Sequence, residues 1–188
     1  MVTVGAANRL TRFIDELSRR TGRLVAWLTL AMVITTFTIV VFRYVFDSGY
    51  IWMQEAVTWL HAAVFMLGAA YALEQDQHVR VDVFYRDMTP RRQALVDITG
   101  VISLLLPLTI FFVWASWDYV AASWQIREGS KQASGLPYPA TSLLKSMLLI
   151  MPALVGIQGL SLLLKAIEVF RGQTTAPPSK PTMHGGEL

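Results

Sequence analysis

Charged segments and long apolar runs alternate along this chain, and four of the runs are long enough to cross a membrane. Residues 24–42 contain no charge. Residues 51–73 are interrupted only by Glu55 near the start and His61 further in. Residues 98–117 are again free of charge, and 143–164 carry Lys145 at their edge. A helix rises about 1.5 Å per residue, so roughly 20 residues cross a hydrocarbon core of about 30 Å. Lipid offers backbone groups no hydrogen-bond partner, so each run is expected to be helical. Spans are predicted at about 24–44, 51–73, 98–117 and 143–164. Pro107 and Pro152 fall inside the last two and are expected to kink rather than break them.

The flanks are patterned differently. Leu10, Phe13, Ile14 and Leu17 recur at i, i+3, i+4 and i+7, with Arg9, Arg12, Asp15, Glu16 and Arg19 on other faces. This predicts an amphipathic helix within 1–23 lying in the membrane interface, with a bend at Gly22. Residues 171–188 are rich in Pro, Gly, Ser and Thr and are expected to be a disordered tail. The predicted fold class is an all-α integral membrane protein: a cytoplasmic segment 1–23, a four-helix domain 24–170 and the tail.

Positive charge orients the spans. With the N-terminus inside, the cytoplasmic segments hold Arg9, Arg12, Arg19, Arg20, Arg23, Arg80, Arg86, Arg91, Arg92, Lys165, Arg171 and Lys180. The other side holds Arg43, Arg127, Lys131 and Lys145. Both termini are therefore expected to be cytoplasmic. Tyr44, Tyr50, Trp52, Trp114, Trp117 and Tyr119 gather near the opposite boundary, as interfacial aromatics do.

Composition narrows the function classes. Of 188 residues 54% are hydrophobic and 15% charged, against about 25% charged in a soluble domain. The net charge of +3 lies beside apolar runs, which fits a membrane surface rather than nucleic acid. The absence of Cys excludes disulfides and thiolate chemistry. The first 23 residues lack the short apolar core of a cleavable signal, so the first run reads as an uncleaved anchor.

Candidate chemistry is sparse, and no enzyme activity or cofactor is expected. Haem ligation needs paired axial ligands, but His61 and His78 are about 25 Å apart along a helix. His61 is expected to hydrogen-bond between helices. Arg43 and Glu55 sit at similar depth and are expected to pair, pinning the first hairpin. No further ionisable residue lies deep enough to continue a relay. Ala62, Ala63, Gly68, Ala69, Ala70, Gly156 and Gly159 permit close helix approach. Four helices with so few polar groups make a poor transporter alone, and packing against something larger is the more natural role; a redox-enzyme membrane anchor and a self-assembling small channel are the alternatives.

The order of several short motifs then adds a resemblance. Arg43-Tyr44 ends the first span; Trp52 with Glu55 opens the second; Gly68-Ala69-Ala70 with Ala72-Leu73 closes it; His78-Val79-Arg80-Val81-Asp82 follows. Further on come Arg127-Glu128-Gly129-Ser130, Gly135-Leu136-Pro137, and Pro152 with Gly156 and Gln158. Over about 24–170 this resembles the small (Q-type) permease subunit of the tripartite ATP-independent periplasmic, or TRAP, transporters. Gln54 stands where many members have a second acid. The resemblance implies a multi-pass protein of the bacterial inner membrane that serves sodium-coupled import of an organic acid. It implies a large (M-type) permease subunit and a periplasmic (P-type) substrate-binding protein as partners, besides membrane lipid. The small subunit would brace the large one and help dock the binding protein. Arg43, Trp52, Glu55 and His61 would then meet the large subunit or stabilise the hairpin. His78, Arg80 and Asp82 would order a cytoplasmic loop or contact lipid head groups. Arg127, Glu128, Leu136 and Pro137 would face the binding protein.

Overall fold

The structure, a computed structural model, describes residues 2–75, 85 and 88–172, with side chains from residue 9 onward. Within them, α1 (Val2–Val45), α2 (Ile51–Glu74), α3 (Pro90–Gly100), α4 (Leu106–Gln125) and α5 (Ala140–Phe170) account for nearly all ordered structure. A single π-helical turn, Val101–Leu105, joins α3 to α4. Four helices among the described residues are long and apolar enough to cross a membrane: Arg9–Val45, Ile51–Glu74, Pro90–Gln125 and Ala140–Phe170. This is an all-α, multi-pass membrane protein.

The two prolines act as lipid-embedded prolines should. Pro107 has no N–H for the Ser103 carbonyl, and the widened π-turn falls just before it. Pro152 lies inside α5 and is fully buried, yet the helix continues for another 18 residues to Phe170.

The last helix is the hub. α5 touches α1, α2, α3 and α4, and α1 also packs along α2. Its buried side includes Ser142, Pro152, Gln158, Gly159, Ser161 and Ala166. The side chains of Leu105 and Thr109 lie over Gly159 and Gly156. Small residues thus serve contact inside the bundle here, with Ala63 and Ala70 of α2 also buried. The outer surface is apolar: Trp27 is 71% and Trp114 74% exposed. With lipid as solvent, such a surface is the expected exterior.

The N-terminal segment corrects the expectation of a separate interfacial helix. α1 runs unbroken from Val2 through Gly22 to Val45. Gly22 is not a bend. A Cβ there would come within 2.6 Å of the Tyr71 ring carbons, so glycine lets α2 pack closely against α1. The predicted apolar stripe also divides. Leu10 and Phe13 are exposed and Ile14 is buried. The face turned into the protein is Thr11, Ile14, Asp15 and Ser18, which is mostly polar. From residue 173 on, the expected tail lies outside the described residues.

Candidate functional site

Two polar constellations sit at opposite ends of the bundle. The first gathers at the end bearing the α1–α2 hairpin and the 126–139 loop. Glu55 lies one turn into α2, where its carboxylate accepts the Ser130 hydroxyl hydrogen and, at 2.7 Å, the Leu136 backbone N–H. The Ser130 N–H in turn reaches the Leu136 carbonyl at 3.1 Å. Gly135 closes this small ring. A Cβ there would lie 2.7 Å from a Glu55 oxygen and 2.6 Å from the Ser130 Cβ.

Further bonds tie the helices around this loop to one another, and one of them reaches the loop itself. The Trp59 indole donates to the Ala140 carbonyl at 2.9 Å, from α2 to the start of α5. The Trp124 indole donates to the Ser146 hydroxyl at 2.9 Å, from α4 to α5. Buried Ser123 and Ser142 join the same two helices at 3.1 Å. Lys145 Nζ lies 2.5 Å from Glu128 and 4.1 Å from the Tyr119 ring centre. Hydrogen bonds from Lys145 and Ser123 hold the Glu128 carboxyl below its ordinary range. The loop is therefore a braced surface, not a slack connection. Arg127, Lys131, Ser134 and Pro137 remain exposed on it.

The second constellation joins the first turns of α1 to the last turns of α5. Asp15 Oδ1 accepts from Gln158 at 3.1 Å and from Ser161 at 2.9 Å; Oδ2 pairs with Lys165 at 2.7 Å. Ser18 donates to the Gln158 Oε1 at 2.7 Å. Gln158 is 1% exposed and Ser161 fully buried, so these groups have to satisfy one another. Arg19 pairs with Glu74 at 3.2 Å, which ties α1 to the end of α2. Sequence reading assigned Asp15 to a solvated face and did not foresee the cluster. The available signal was a pair of matching stripes: Thr11, Asp15 and Ser18 on α1, and Gln158, Ser161 and Lys165 on α5.

Between α4 and α5 runs an apolar groove of about 710 Å³, lined by Ile110, Trp114, Ile157 and neighbours. Its lining residues include no charged side chain, so it offers an organic anion no counter-charge.

The amino-acid sequence that builds these spans matches a known family. The description tripartite ATP-independent periplasmic transporters, DctQ component, fits residues 32–169. The chain belongs to this family. It is a small-permease component of a transporter and not an enzyme. It is similar to the C4-dicarboxylate TRAP transporter small permease protein DctQ of Vibrio cholerae serotype O1, at 27% identity over 112 residues. That match covers 60% of this chain and 47% of the relative, so the chain spans about half the length of the curated protein it matches. No solved structure matches it.

The small permease can now be set against the residues singled out in its sequence. Glu55 was expected to pair with Arg43 in the first hairpin, but its partners are Ser130 and Leu136 of the 126–139 loop. Among the described residues no bond joins it to Arg43, which is exposed at the end of α1. The geometric reason is reach: the loop ring built on Gly135 closes over the Glu55 carboxylate. Trp52 is 47% exposed and stacks near Tyr50, with centroids 6.4 Å apart. Among the described residues His61 makes no hydrogen bond to another helix. It is exposed, and its ring packs on Phe65 at 5.0 Å. The four loop residues separate by role. Arg127 and Pro137 face outward, whereas Glu128 and Leu136 are internal ties. His78, Arg80 and Asp82 lie outside the described residues.

Proposed function

We propose that this small permease braces the large membrane subunit of a sodium-coupled tripartite transporter that imports an organic acid across a bacterial inner membrane. The observation that carries this reading is the braced hairpin end. Bonds from α2, α4 and α5 converge on the 126–139 loop, which presents Arg127 and Lys131 on a firm base. A docking platform needs such preorganisation, because ordering a slack loop on binding weakens affinity. Both termini lie in the cytoplasm in this reading, in keeping with the Lys and Arg distribution, and the loop faces the periplasm. Arg43, Arg127 and Lys131 stand exposed at this end beside Asp47 and Asp118, so the platform offers charges of both signs to the binding protein. Arg43 and Trp52 edge the contact with the large subunit.

Among the described residues the Asp, Glu, Lys and Arg side chains gather at the two ends of the bundle and form no continuous path between them, which agrees with a bracing role, since substrate and ions then pass through the partner. The test is reconstitution. The chain is co-expressed with its large permease, purified and placed in liposomes with the binding protein and a labelled C4-dicarboxylate as first probe. Uptake driven by a sodium gradient only when this chain is present is the expected result. Equal uptake without it, or failure of the two membrane chains to purify together, overturns the reading.

A further inference from the structure

One exposed face differs from the rest. On α1 the outward residues include Trp27, Ile34 and Phe37, and on α4 Phe111 and Trp114, all apolar. Hydroxyls that point outward return to their own helix: Thr36 donates to the Met32 carbonyl at 2.8 Å and Ser103 to the Thr99 carbonyl at 2.6 Å. On α2, however, Gln54, Thr58, His61 and Phe65 are exposed at spacings of four, three and four residues, which sets them on one stripe. Thr58 is satisfied by the Gln54 carbonyl at 3.2 Å. His61 has no such escape. An imidazole carries one donor and one acceptor, or two donors, and His61 lies beside the apolar Phe65 ring.

Depth makes this decisive. His61 is ten residues beyond Ile51, so it lies about 15 Å along a helix that crosses a core of roughly 30 Å. Lipid there supplies no hydrogen bond, so an unsatisfied polar group is strongly disfavoured. A polar side chain at that depth therefore belongs against protein. We propose that the Gln54–Thr58–His61–Phe65 stripe seats a transmembrane helix of the large permease subunit, which places a hydrogen-bonding side chain opposite His61 near the middle of the bilayer. This rests on the small-permease reading above. A second copy of this chain fits less well. Across a two-fold axis His61 meets itself, and two neutral imidazoles form one hydrogen bond while leaving one donor and one acceptor unmet.

The test uses the assembled membrane complex. A photoreactive phenylalanine analogue replaces Phe65, or Phe37 or Phe111 as controls, in membranes carrying the large subunit. An adduct containing both subunits from Phe65, and not from the controls, is the expected result. Separately, His61→Leu should lower retention of the large subunit about three- to tenfold, the worth of one interhelical hydrogen bond. His61→Gln, which keeps a donor and an acceptor, should restore it. Neither change should move the thermal midpoint of the isolated chain, because His61 makes no hydrogen bond among the described residues. Adducts of two copies of this chain, adducts with lipid alone, or equal adducts from Phe37 and Phe111 overturn the inference. If the large subunit is retained but joins through the control faces, only this surface assignment fails. If it is never retained, the proposed bracing of the large subunit fails with it.

Discussion

The Glu55 carboxylate and the Leu136 backbone N–H lie 81 residues apart in the chain and 2.7 Å apart in space. This bond, with the Ser130 hydroxyl, makes an acid at the start of α2 the organiser of a loop between α4 and α5. Glu55→Ala should leave the four helices in place and loosen residues 130–136. Hydrogen–deuterium exchange of the purified chain should show faster exchange there, with α2 unaffected. Gly135→Ala should give the same pattern without touching the acid, because its Cβ displaces Ser130 and Glu55. A matching pair of exchange maps supports the ring; protection unchanged in both removes it.

The Glu128–Lys145 pair makes loop stability depend on pH. Lys145 and Ser123 hold the Glu128 pKa below its ordinary value of 4.5. The unfolded chain therefore binds the proton more readily than the folded one. The contribution is full above the ordinary value and is lost as pH falls through the depressed folded value. Loop exchange protection should fall in acid accordingly. In Lys145→Met the acid-dependent loss should be smaller and complete at higher pH, since a depressing partner is gone from the folded state. Identical acid profiles for the two proteins would exclude this role.

At the other end, Asp15 is the acceptor on which Gln158, Ser161 and Lys165 converge. Asp15→Ala leaves those donors without it, at a cost of about 1–3 kcal/mol. Lys165→Met in the Asp15→Ala background should cost less than Lys165→Met alone, with a coupling of about 0.5–3 kcal/mol. Thermal unfolding of the four proteins in one detergent measures this. Additive effects would mean the pair makes no net contribution.

Gly22 sets two effects of opposite sign against each other. Alanine is favoured over glycine in a helix by about 0.8–1 kcal/mol. Overpacking against the Tyr71 ring costs about 1–3 kcal/mol, and the approach of 2.6 Å leaves little room to yield. Gly22→Ala should therefore destabilise the chain. In a Tyr71→Ala background the clash is gone and the same change should stabilise. A midpoint that moves the same way in both backgrounds would refute the packing account.

Much of the architecture was legible before any coordinates. Runs such as 98–117 contain no charge, and backbone in lipid has few options, so number, length and helical state of the spans follow from local composition alone. The family resemblance was legible too, because it rests on the order of short motifs. Contacts between distant residues were not. Asp15 reads as one more charge on an amphipathic helix until α5 brings Lys165 beside it. Arg43 and Glu55 share a depth and look paired, but the 126–139 loop reaches Glu55 instead.

The chain by itself therefore determined that this protein crosses the membrane four times and which family it joins, since hydropathy and motif order act residue by residue. Only the tertiary structure decided which polar groups satisfy one another, because a hydrogen bond depends on ångström-scale placement across helices. It also decided which stripe of α2 is left outward, with His61 at its middle, since a face becomes an outside only when its neighbours are packed.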